Sequence, residues 1–215
     1  MARKKDIKYQ IVKSIPNIIE ESKPIFSTIK GDWNKLYFKN ENPIVIEIGC
    51  GSGEYTLGLA KINPEINYIG IDIKGDRLYK GANLALAENV FNVAFLRTQI
   101  ENLNNFFDKN ETSQIWITFP DPQPNNSKKR LINQRFFDIY QNILPRNGIL
   151  NIKTDSKLFF ETALETLQKN KSEILLYTND LYNSPIFDQV PNIQTHYEKK
   201  YLAQNLPIYY LKARV

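Results

Sequence analysis

Short apolar runs alternate with helix-length stretches along most of this chain, and no other feature of the sequence restricts the fold as strongly. Three of the runs precede helical patterns at 54–62, 74–88 and 99–108, and two further helical patterns lie near 131–143 and 155–170. Continuous apolar strands suit a sheet covered on both faces, so the alternation predicts a doubly wound, Rossmann-like α/β sheet with right-handed crossovers. The seven predicted strands are Pro43–Ile48, Asn67–Ile71, Asn92–Leu96, Gln114–Phe119, Gly148–Lys153, Glu173–Thr178 and Leu206–Lys212.

The composition, 215 residues with 42% hydrophobic side chains, is that of one globular domain. The longest apolar run, around Ile44–Ile48, is far shorter than the roughly 18 residues of a membrane-spanning helix, and no apolar segment follows the basic start as in an export signal. Cys50 is the only cysteine and His196 the only histidine, so neither an internal disulfide nor a structural zinc site is expected. We therefore expect a protein of the reducing cytoplasm with no membrane, no metal and no obligate protein partner.

The positive charge is concentrated in three segments, although the formal net charge is only +5. Residues 1–30 carry +4, residues 121–135 carry +3 and residues 194–215 carry +3, which leaves −5 on the rest of the chain. A polyanion that contacts all three segments would account for this distribution, whereas the N-terminal lysines taken alone are equally compatible with a role in solubility. We expect a basic N-terminal extension over residues 1–42 and the folded domain over residues 43–215.

A glycine-rich turn follows the first predicted strand and indicates a ligand site. Gly49, Gly51 and Gly53 permit a tight turn and close approach of a ligand at the carboxyl end of the sheet. A dinucleotide site would favour glycine at the position of Glu54, where a carboxylate repels a pyrophosphate at the start of the helix. The turn therefore favours S-adenosylmethionine, whose sulfonium and ammonium groups are compatible with the nearby Glu47.

Two polar residues follow the next two strands and are candidates for binding the same cofactor. Asp72, nineteen residues after Gly53, can accept hydrogen bonds from both ribose hydroxyls, or it can cap the following helix. Gln99 can accept a hydrogen bond from the exocyclic amine of adenine, or it can simply be a residue at a helix start.

A carboxylate held between prolines ends the fourth predicted strand. Pro120 and Pro122 restrict the backbone on both sides of Asp121, and the basic residues Lys128–Arg130 follow within a few positions. This pattern suits a fixed acid that faces a base while cationic side chains bind the phosphates of its nucleic acid. The alternative is a strand ended by prolines and a solvated basic helix start.

These motifs, taken in order, resemble the bacterial tRNA (guanine-N7-)-methyltransferase family over about residues 40–215. The resemblance is carried by Glu47–Gly53, Phe119–Pro122, Thr154-Asp155 and Thr195–Glu198. It implies a class I methyltransferase sheet of seven strands, mostly parallel with one antiparallel strand near the C-terminus. It also implies transfer of a methyl group from S-adenosylmethionine to N7 of guanine 46 in the tRNA variable loop.

The resemblance also implies roles for individual residues. The cofactor would be contacted by Glu47, Gly49, Gly51, Gly53, Asp72 and Gln99. The substrate would be contacted by Asp155, Thr195, Glu198, Lys128 and Arg130, and the catalytic residue would be Asp121. The sequence departs from the family where Gln123, Pro124 and Asn125 replace a tryptophan and a nearby lysine, and where Gln99 replaces an acid.

Guanine N7 carries an in-plane lone pair and no proton, so the expected reaction needs no general base. We expect Asp121 to orient the base by accepting hydrogen bonds from N1–H and N2–H and to stabilise the positive charge that develops on the purine. Two alternatives stay open on the sequence alone. One is a class I methyltransferase that acts on another RNA site, a protein or a small molecule, and the other is a nucleic-acid-binding module without turnover.

Overall fold

A computed structural model describes residues 12–215 of the chain and shows one mixed sheet with helices on both faces. Eight strands form this sheet within the described residues, in the spatial order β1-β4-β3-β2-β5-β6-β8-β7. The strands are β1 (Ile18–Ile19), β2 (Ile44–Ile48), β3 (Asn67–Asp72), β4 (Val93–Arg97), β5 (Gln114–Thr118), β6 (Ile149–Thr154), β7 (Glu173–Thr178) and β8 (Tyr209–Arg214).

Five α-helices that lie wholly within the described residues connect or flank these strands. They are α1 (Glu54–Ile62), α2 (Gly75–Ala87), α3 (Gln134–Ile143), α4 (Lys157–Lys169) and α5 (His196–Leu202). The side chains of Asn133, Ser156 and Thr195 accept hydrogen bonds from backbone N–H groups in the first turns of α3, α4 and α5. The described chain also contains short 3₁₀ turns at Pro24–Ser27, Ile100–Asn105, Ser127–Lys129 and Phe187–Gln189, and a π-helical turn at Trp33–Phe38.

Strands β1 to β6 run parallel to one another, and β8 is antiparallel to both β6 and β7. The predicted doubly wound sheet with one antiparallel strand near the C-terminus is therefore confirmed. The structure adds a strand to the seven that were predicted, since Ile18 pairs with Phe95 and Ile19 with Leu96. A strand of two residues is too short to show the period on which the prediction relied.

Part of the predicted N-terminal extension packs against the domain. Ile18 and Ile19 are buried in the sheet, and Trp33 is fully buried. The indole of Trp33 stacks on Phe107 with a centroid separation of 5.5 Å and donates a hydrogen bond of 2.8 Å to the carbonyl oxygen of Phe106. The most basic part of the extension, residues 1–11, lies outside the described residues.

One local prediction was wrong, and one helix was not predicted. The helix expected at 99–108 is a 3₁₀ turn at Ile100–Asn105, in a stretch that contains three asparagines, which are weak helix formers. Helix α5 was not predicted, because seven residues give too few turns for an apolar period to be visible. None of the helices in the described chain is long and apolar enough to cross a membrane.

Candidate active site

The carboxyl ends of the parallel strands meet in one cleft, which has two adjoining parts. The first part, which we call the turn pocket, is lined by Glu47, Gly51, Ser52, Thr195, His196 and Tyr197, among others. The second, which we call the strand-end pocket, is lined by Asp72, Ile73, Gln99, Ile100, Pro120 and Asp121, among others. Gly49, Arg77 and Phe119 line both parts, so the two pockets form a continuous cleft.

The glycine turn between β2 and α1 forms the floor of the turn pocket. Gly49, Gly51 and Gly53 have φ angles of 71°, 56° and 71°, a region that side chains other than glycine rarely adopt. A Cβ atom at Gly53 would lie 2.8 Å from Cζ of Phe95, so packing also requires glycine there. At Gly51 an added Cβ would meet nothing within 4 Å, which means that a ligand has open space above the backbone at this position.

Asp72 ties the glycine turn to the end of β3. Its Oδ2 accepts a hydrogen bond from Gly51 N at 3.0 Å, and its Oδ1 accepts one from Lys74 N at 2.8 Å. The carboxylate is largely buried and lines the strand-end pocket. Each oxygen keeps a further lone pair, so Asp72 can hold the turn and also accept hydrogen bonds from the two hydroxyls of a ribose.

Glu47 lies on the other side of the turn as a buried carboxylate with three donors. It accepts hydrogen bonds from the backbone N–H of Thr56 at 2.8 Å and from the hydroxyls of Thr56 and Thr118. Burial raises the pKa of Glu47 to about 7, although the three hydrogen bonds favour the ionised form. A cation bound in the turn pocket would stabilise the ionised carboxylate.

Asp121 lies in the same cleft as the glycine turn, on an exposed loop between residues that adopt positive φ angles. Phe119 has φ 46° and Gln123 has φ 47°, conformations that cost free energy for side chains of this kind. Oδ1 of Asp121 accepts a hydrogen bond from Gln123 N at 3.0 Å, which fixes the orientation of the carboxylate. Together with Asp72 and Gln99, Asp121 lines the strand-end pocket.

Arg130 holds the loop that carries Asp121. Its Nε donates to the carbonyl oxygen of Pro122 at 3.0 Å, and its guanidinium also donates to Pro124 O at 3.4 Å and to Thr162 Oγ1 at 3.2 Å. In this state Arg130 therefore positions the loop. Lys128, the other basic residue predicted to contact substrate, is exposed in the adjacent 3₁₀ turn.

The residues predicted to contact substrate at the C-terminal side are held by α5. Thr195 is the N-cap residue of this helix and lines the turn pocket, and Tyr201 of the same helix lies near Asp155. Partial burial raises the pKa of Asp155 above its usual range. Glu198, in contrast, is fully buried beneath the cleft, where Oε1 lies 2.7 Å from Nζ of Lys153.

Two residues of the turn have structural functions that the sequence left open. The carboxylate of Glu54 accepts a hydrogen bond of 2.6 Å from the backbone N–H of His196, so it joins the start of α1 to the start of α5. Cys50 is buried against Gly70, and burial raises the pKa of its thiol well above the usual value. A thiol that stays protonated in this way is a poor nucleophile, which agrees with a packing role for Cys50.

Two basic residues that were not predicted from the sequence, Arg77 and Lys80, line the turn pocket from α2. A spacing of three residues on a helix puts both on one face, and this helix directly follows the strand that ends in Asp72. That spacing was the signal that could have identified them. Among the described residues, no group of three or more His, Cys, Asp or Glu side chains could hold a metal ion.

Comparison with known proteins identifies the family. The family model Methyltransf_4, described as "Putative methyltransferase", matches residues 41–211. The tRNA (guanine-N(7)-)-methyltransferase of Cytophaga hutchinsonii is 46% identical over 216 residues, which cover 99% of this chain and 97% of that protein. The enzyme of the same name from Bacteroides fragilis is 41% identical over 216 residues, covering 99% of this chain and 86% of that protein.

Solved structures with low sequence identity share the fold. The 16S rRNA methyltransferase KamB superposes with a TM-score of 0.66 at 12% identity, covering 91% of this chain and 94% of that chain. The sheet and cleft are therefore those of a methyltransferase fold, and the sequence relatives narrow the assignment. The chain belongs to the tRNA (guanine-N7-)-methyltransferase family.

Proposed function

We propose that this protein transfers the methyl group of S-adenosylmethionine to N7 of guanine 46 in the variable loop of tRNA. The observation that carries the proposal is the shared cleft in which Asp121 lies with Asp72 and the glycine turn, in a chain that belongs to this family. We also propose that the enzyme acts in the cytoplasm, because its single cysteine is a buried free thiol, as is usual in a reducing compartment.

The cleft offers each part of S-adenosylmethionine a group of suitable chemistry. Asp72 accepts hydrogen bonds from the ribose hydroxyls, and Gln99 and Ile100 face the adenine. The open space above Gly51 admits the amino acid part, and ionised Glu47 attracts its positive charges. When bound, the cofactor supplies a methyl carbon that is activated by the attached sulfonium.

Asp121 acts on the guanine without taking a proton from it. Its carboxylate accepts hydrogen bonds from N1–H and N2–H of the base and so orients N7 toward the methyl group. Positive charge appears on the purine as the new bond forms, and the fixed negative charge of Asp121 stabilises it. The hydrogen bond from Gln123 and the contacts of Arg130 keep this carboxylate in place before the substrate binds.

The rim of the turn pocket suits a polyanion. Arg77 and Lys80 lie on one side of this pocket, and His196 and Tyr197 lie on the other. Cationic side chains bind tRNA phosphates, and aromatic rings stack on bases that have left the helix. Guanine 46 has to be displaced from its tertiary stack to reach Asp121, and contacts of this kind offset the cost of displacement.

The experiment that tests the proposal combines the full-length protein, methyl-labelled S-adenosylmethionine and unmodified tRNA. Digestion of the tRNA to nucleosides should yield labelled 7-methylguanosine, and the label should map to position 46. A matched tRNA with adenine at position 46 should stay unlabelled. Label on another nucleotide, or no label on either tRNA, would contradict the proposal.

A further inference from the structure

A buried ion pair lies beneath the cleft, between β6 and α5. Nζ of Lys153 is 2.7 Å from Oε1 of Glu198, and the two side chains are 1% and 0% exposed. The hydroxyl of Tyr182 donates to the same carboxylate oxygen at 2.9 Å. Nζ of Lys153 also donates to the carbonyl oxygen of Ile193 at 3.4 Å and lies 5.1 Å from the centre of the Tyr55 ring. Lys153 thus connects three separate segments of the chain.

Stability alone does not account for this pair. Taking both charges out of water costs several kcal/mol per ion, and apolar residues of similar volume often replace such pairs without loss of stability. Burial accordingly lowers the pKa of Lys153, while the neighbouring Glu198 raises it. The second oxygen of Glu198, Oε2, is buried with no hydrogen bond partner among the described residues, which adds to the cost of the arrangement.

The pair is one of the side-chain contacts that hold a short helix in position. Helix α5 has seven residues, and an isolated helix of this length is unstable in water. Glu198 lies in its first turn, where its backbone N–H donates to the side chain of Thr195 at 3.2 Å. Thr195, His196 and Tyr197 line the turn pocket directly before it. A shift of Glu198 would therefore move one wall of the cleft.

Other contacts of α5 connect it to the end of β6 and to the loop that carries Asp121. Tyr201 lies near Asp155, two residues after Lys153 in the chain. The ring of Tyr201 also stacks on Phe119, with a centroid separation of 6.1 Å, at the start of the loop that carries Asp121. The position of α5 is thus coupled to both the end of β6 and the loop after β5.

We infer that Lys153 is a positioning residue for substrate binding: through its ion pair with Glu198 it sets the place of α5 over the cleft without touching the nucleotide. Glu198 acts through the helix in the same way. The inference rests on the proposed function. It adds an explanation of how Thr195 and Tyr197 are held in position to contact the target nucleotide.

A double-mutant cycle in the full-length protein tests this inference. The variants K153M, E198Q and K153M/E198Q are compared with wild type in KM for tRNA, kcat, Kd for S-adenosylmethionine and Tm. We expect each single change to raise KM for tRNA about tenfold, and the double change to raise it by about the same factor rather than by the product. The Kd for S-adenosylmethionine should change less than KM for tRNA, because the strand-end pocket, where its ribose and adenine would bind, contains no residue of α5.

Two further variants separate positioning from stability. K153M/E198M replaces both charges by apolar side chains, so it is expected to keep a Tm near wild type while KM for tRNA stays raised. K61M breaks the partly exposed pair between Lys61 and Glu88 and should leave KM unchanged.

The outcomes separate this inference from the proposed function. A wild-type KM in K153M, or in K153M/E198M, would contradict the positioning role while leaving the proposed function intact. A fall in kcat for E198Q that is independent of Lys153 would contradict it as well, because it would show direct contact of Glu198 with substrate. A wild-type protein that does not methylate tRNA would overturn the proposed function and this inference together.

Discussion

The floor and the C-terminal wall of the cleft are built by different means. The floor, formed by the glycine turn and the end of β3, is held by hydrogen bonds from the backbone of the turn to the adjacent strand: Gly49 N and Cys50 N both donate to the carbonyl oxygen of Ile71, at 2.8 and 3.0 Å, and Gly51 N donates to the carboxylate of Asp72. The wall, formed by α5, is held by side chains from distant segments, such as Glu54 on the N–H of His196 and Lys153 on Glu198. We expect changes in the floor to affect folding and cofactor binding, and changes in the wall to affect tRNA binding.

The largest effect is expected at Asp121, which lies on the loop after β5 and lines the strand-end pocket together with Gly49 and Asp72 of the floor. Asp121→Asn removes the charge but keeps the size, so kcat should fall about 10²- to 10³-fold, as for the loss of one preorganised electrostatic group. The measurement is single-turnover methylation of tRNA, with Kd for S-adenosylmethionine measured in parallel and expected to be unchanged. Asp188→Asn, at an exposed aspartate outside the pocket linings, is the matched control. A wild-type kcat in Asp121→Asn would contradict the electrostatic role proposed for Asp121.

A pair of glycine variants tests how the floor is built. Gly53→Ala places a Cβ against Phe95 in addition to the strain of a positive φ, so the free energy of unfolding should fall by about 2–4 kcal/mol. Gly51→Ala meets open space and bears only the strain, about 1 kcal/mol, but its methyl group takes up room that the cofactor needs. Thermal unfolding should therefore show the larger loss of stability in Gly53→Ala, and calorimetric titration should show the larger loss of affinity for S-adenosylmethionine in Gly51→Ala. Equal losses of stability would contradict this description of the floor.

The cationic rim should determine how tRNA affinity depends on salt. Neutralising Arg77 and Lys80 together (Arg77→Gln/Lys80→Gln) should weaken binding about tenfold near physiological salt and reduce the slope of log K against log salt by about 1.5 to 2. Filter binding of tRNA across a salt series measures this slope. Lys109→Gln, at an exposed lysine in the loop that leads into β5, on the side of the sheet away from the carboxyl ends of the strands, should leave the slope unchanged. If the double variant keeps the wild-type slope, these residues do not contact phosphate.

The smallest effect is expected from the titration of Glu47. Since burial raises the pKa of this carboxyl to about 7, S-adenosylmethionine should bind several-fold more tightly at about pH 8 than at about pH 6, where Glu47 is mostly protonated. Calorimetric titration at both pH values measures the change. The variant Glu47→Gln should bind more weakly and show no such dependence on pH. A wild-type affinity that does not vary over this range would contradict the contact.

In the ligand-free protein, the raised pKa of Glu47 makes the free energy of unfolding fall with rising pH, whereas the affinity for S-adenosylmethionine is expected to increase with rising pH. Between about pH 4.5 and about pH 7 the folded state holds a proton on Glu47 that the unfolded state has lost, so this group lowers the free energy of unfolding as the pH rises through that window. The difference in Tm between wild type and Glu47→Gln, followed across the window, isolates the contribution of this one group.

The floor could be predicted from the sequence because its signals are local. The apolar run Ile44–Ile48, the glycines that follow it and the aspartate at the end of β3 each indicate their structure from a few neighbouring residues, and the sheet brings them together. The same local signals predicted the loop with Asp121, which lies in the cleft as expected.

The wall could not be predicted in the same way. Helix α5 is too short for a period, and its contacts join residues far apart in the chain, such as Glu54 and His196. A sequence motif indicated Glu198, but nothing in the sequence indicated that this residue forms a buried ion pair with Lys153. Trp33 lies in the predicted N-terminal extension, but its ring packs against Phe106 and Phe107, which follow it in the chain by 73 and 74 positions.

A single substitution in the tRNA tests directly whether N7 of guanine 46 accepts the methyl group. In 7-deazaguanine a C–H group replaces N7, so a tRNA with this base at position 46 keeps the N1 and N2 edge for Asp121 but has no lone pair to accept a methyl group. We expect the full-length protein to bind this tRNA with a Kd within about twofold of the guanine form and to incorporate no label from methyl-labelled S-adenosylmethionine. Incorporation at the rate seen with guanine 46 would contradict it.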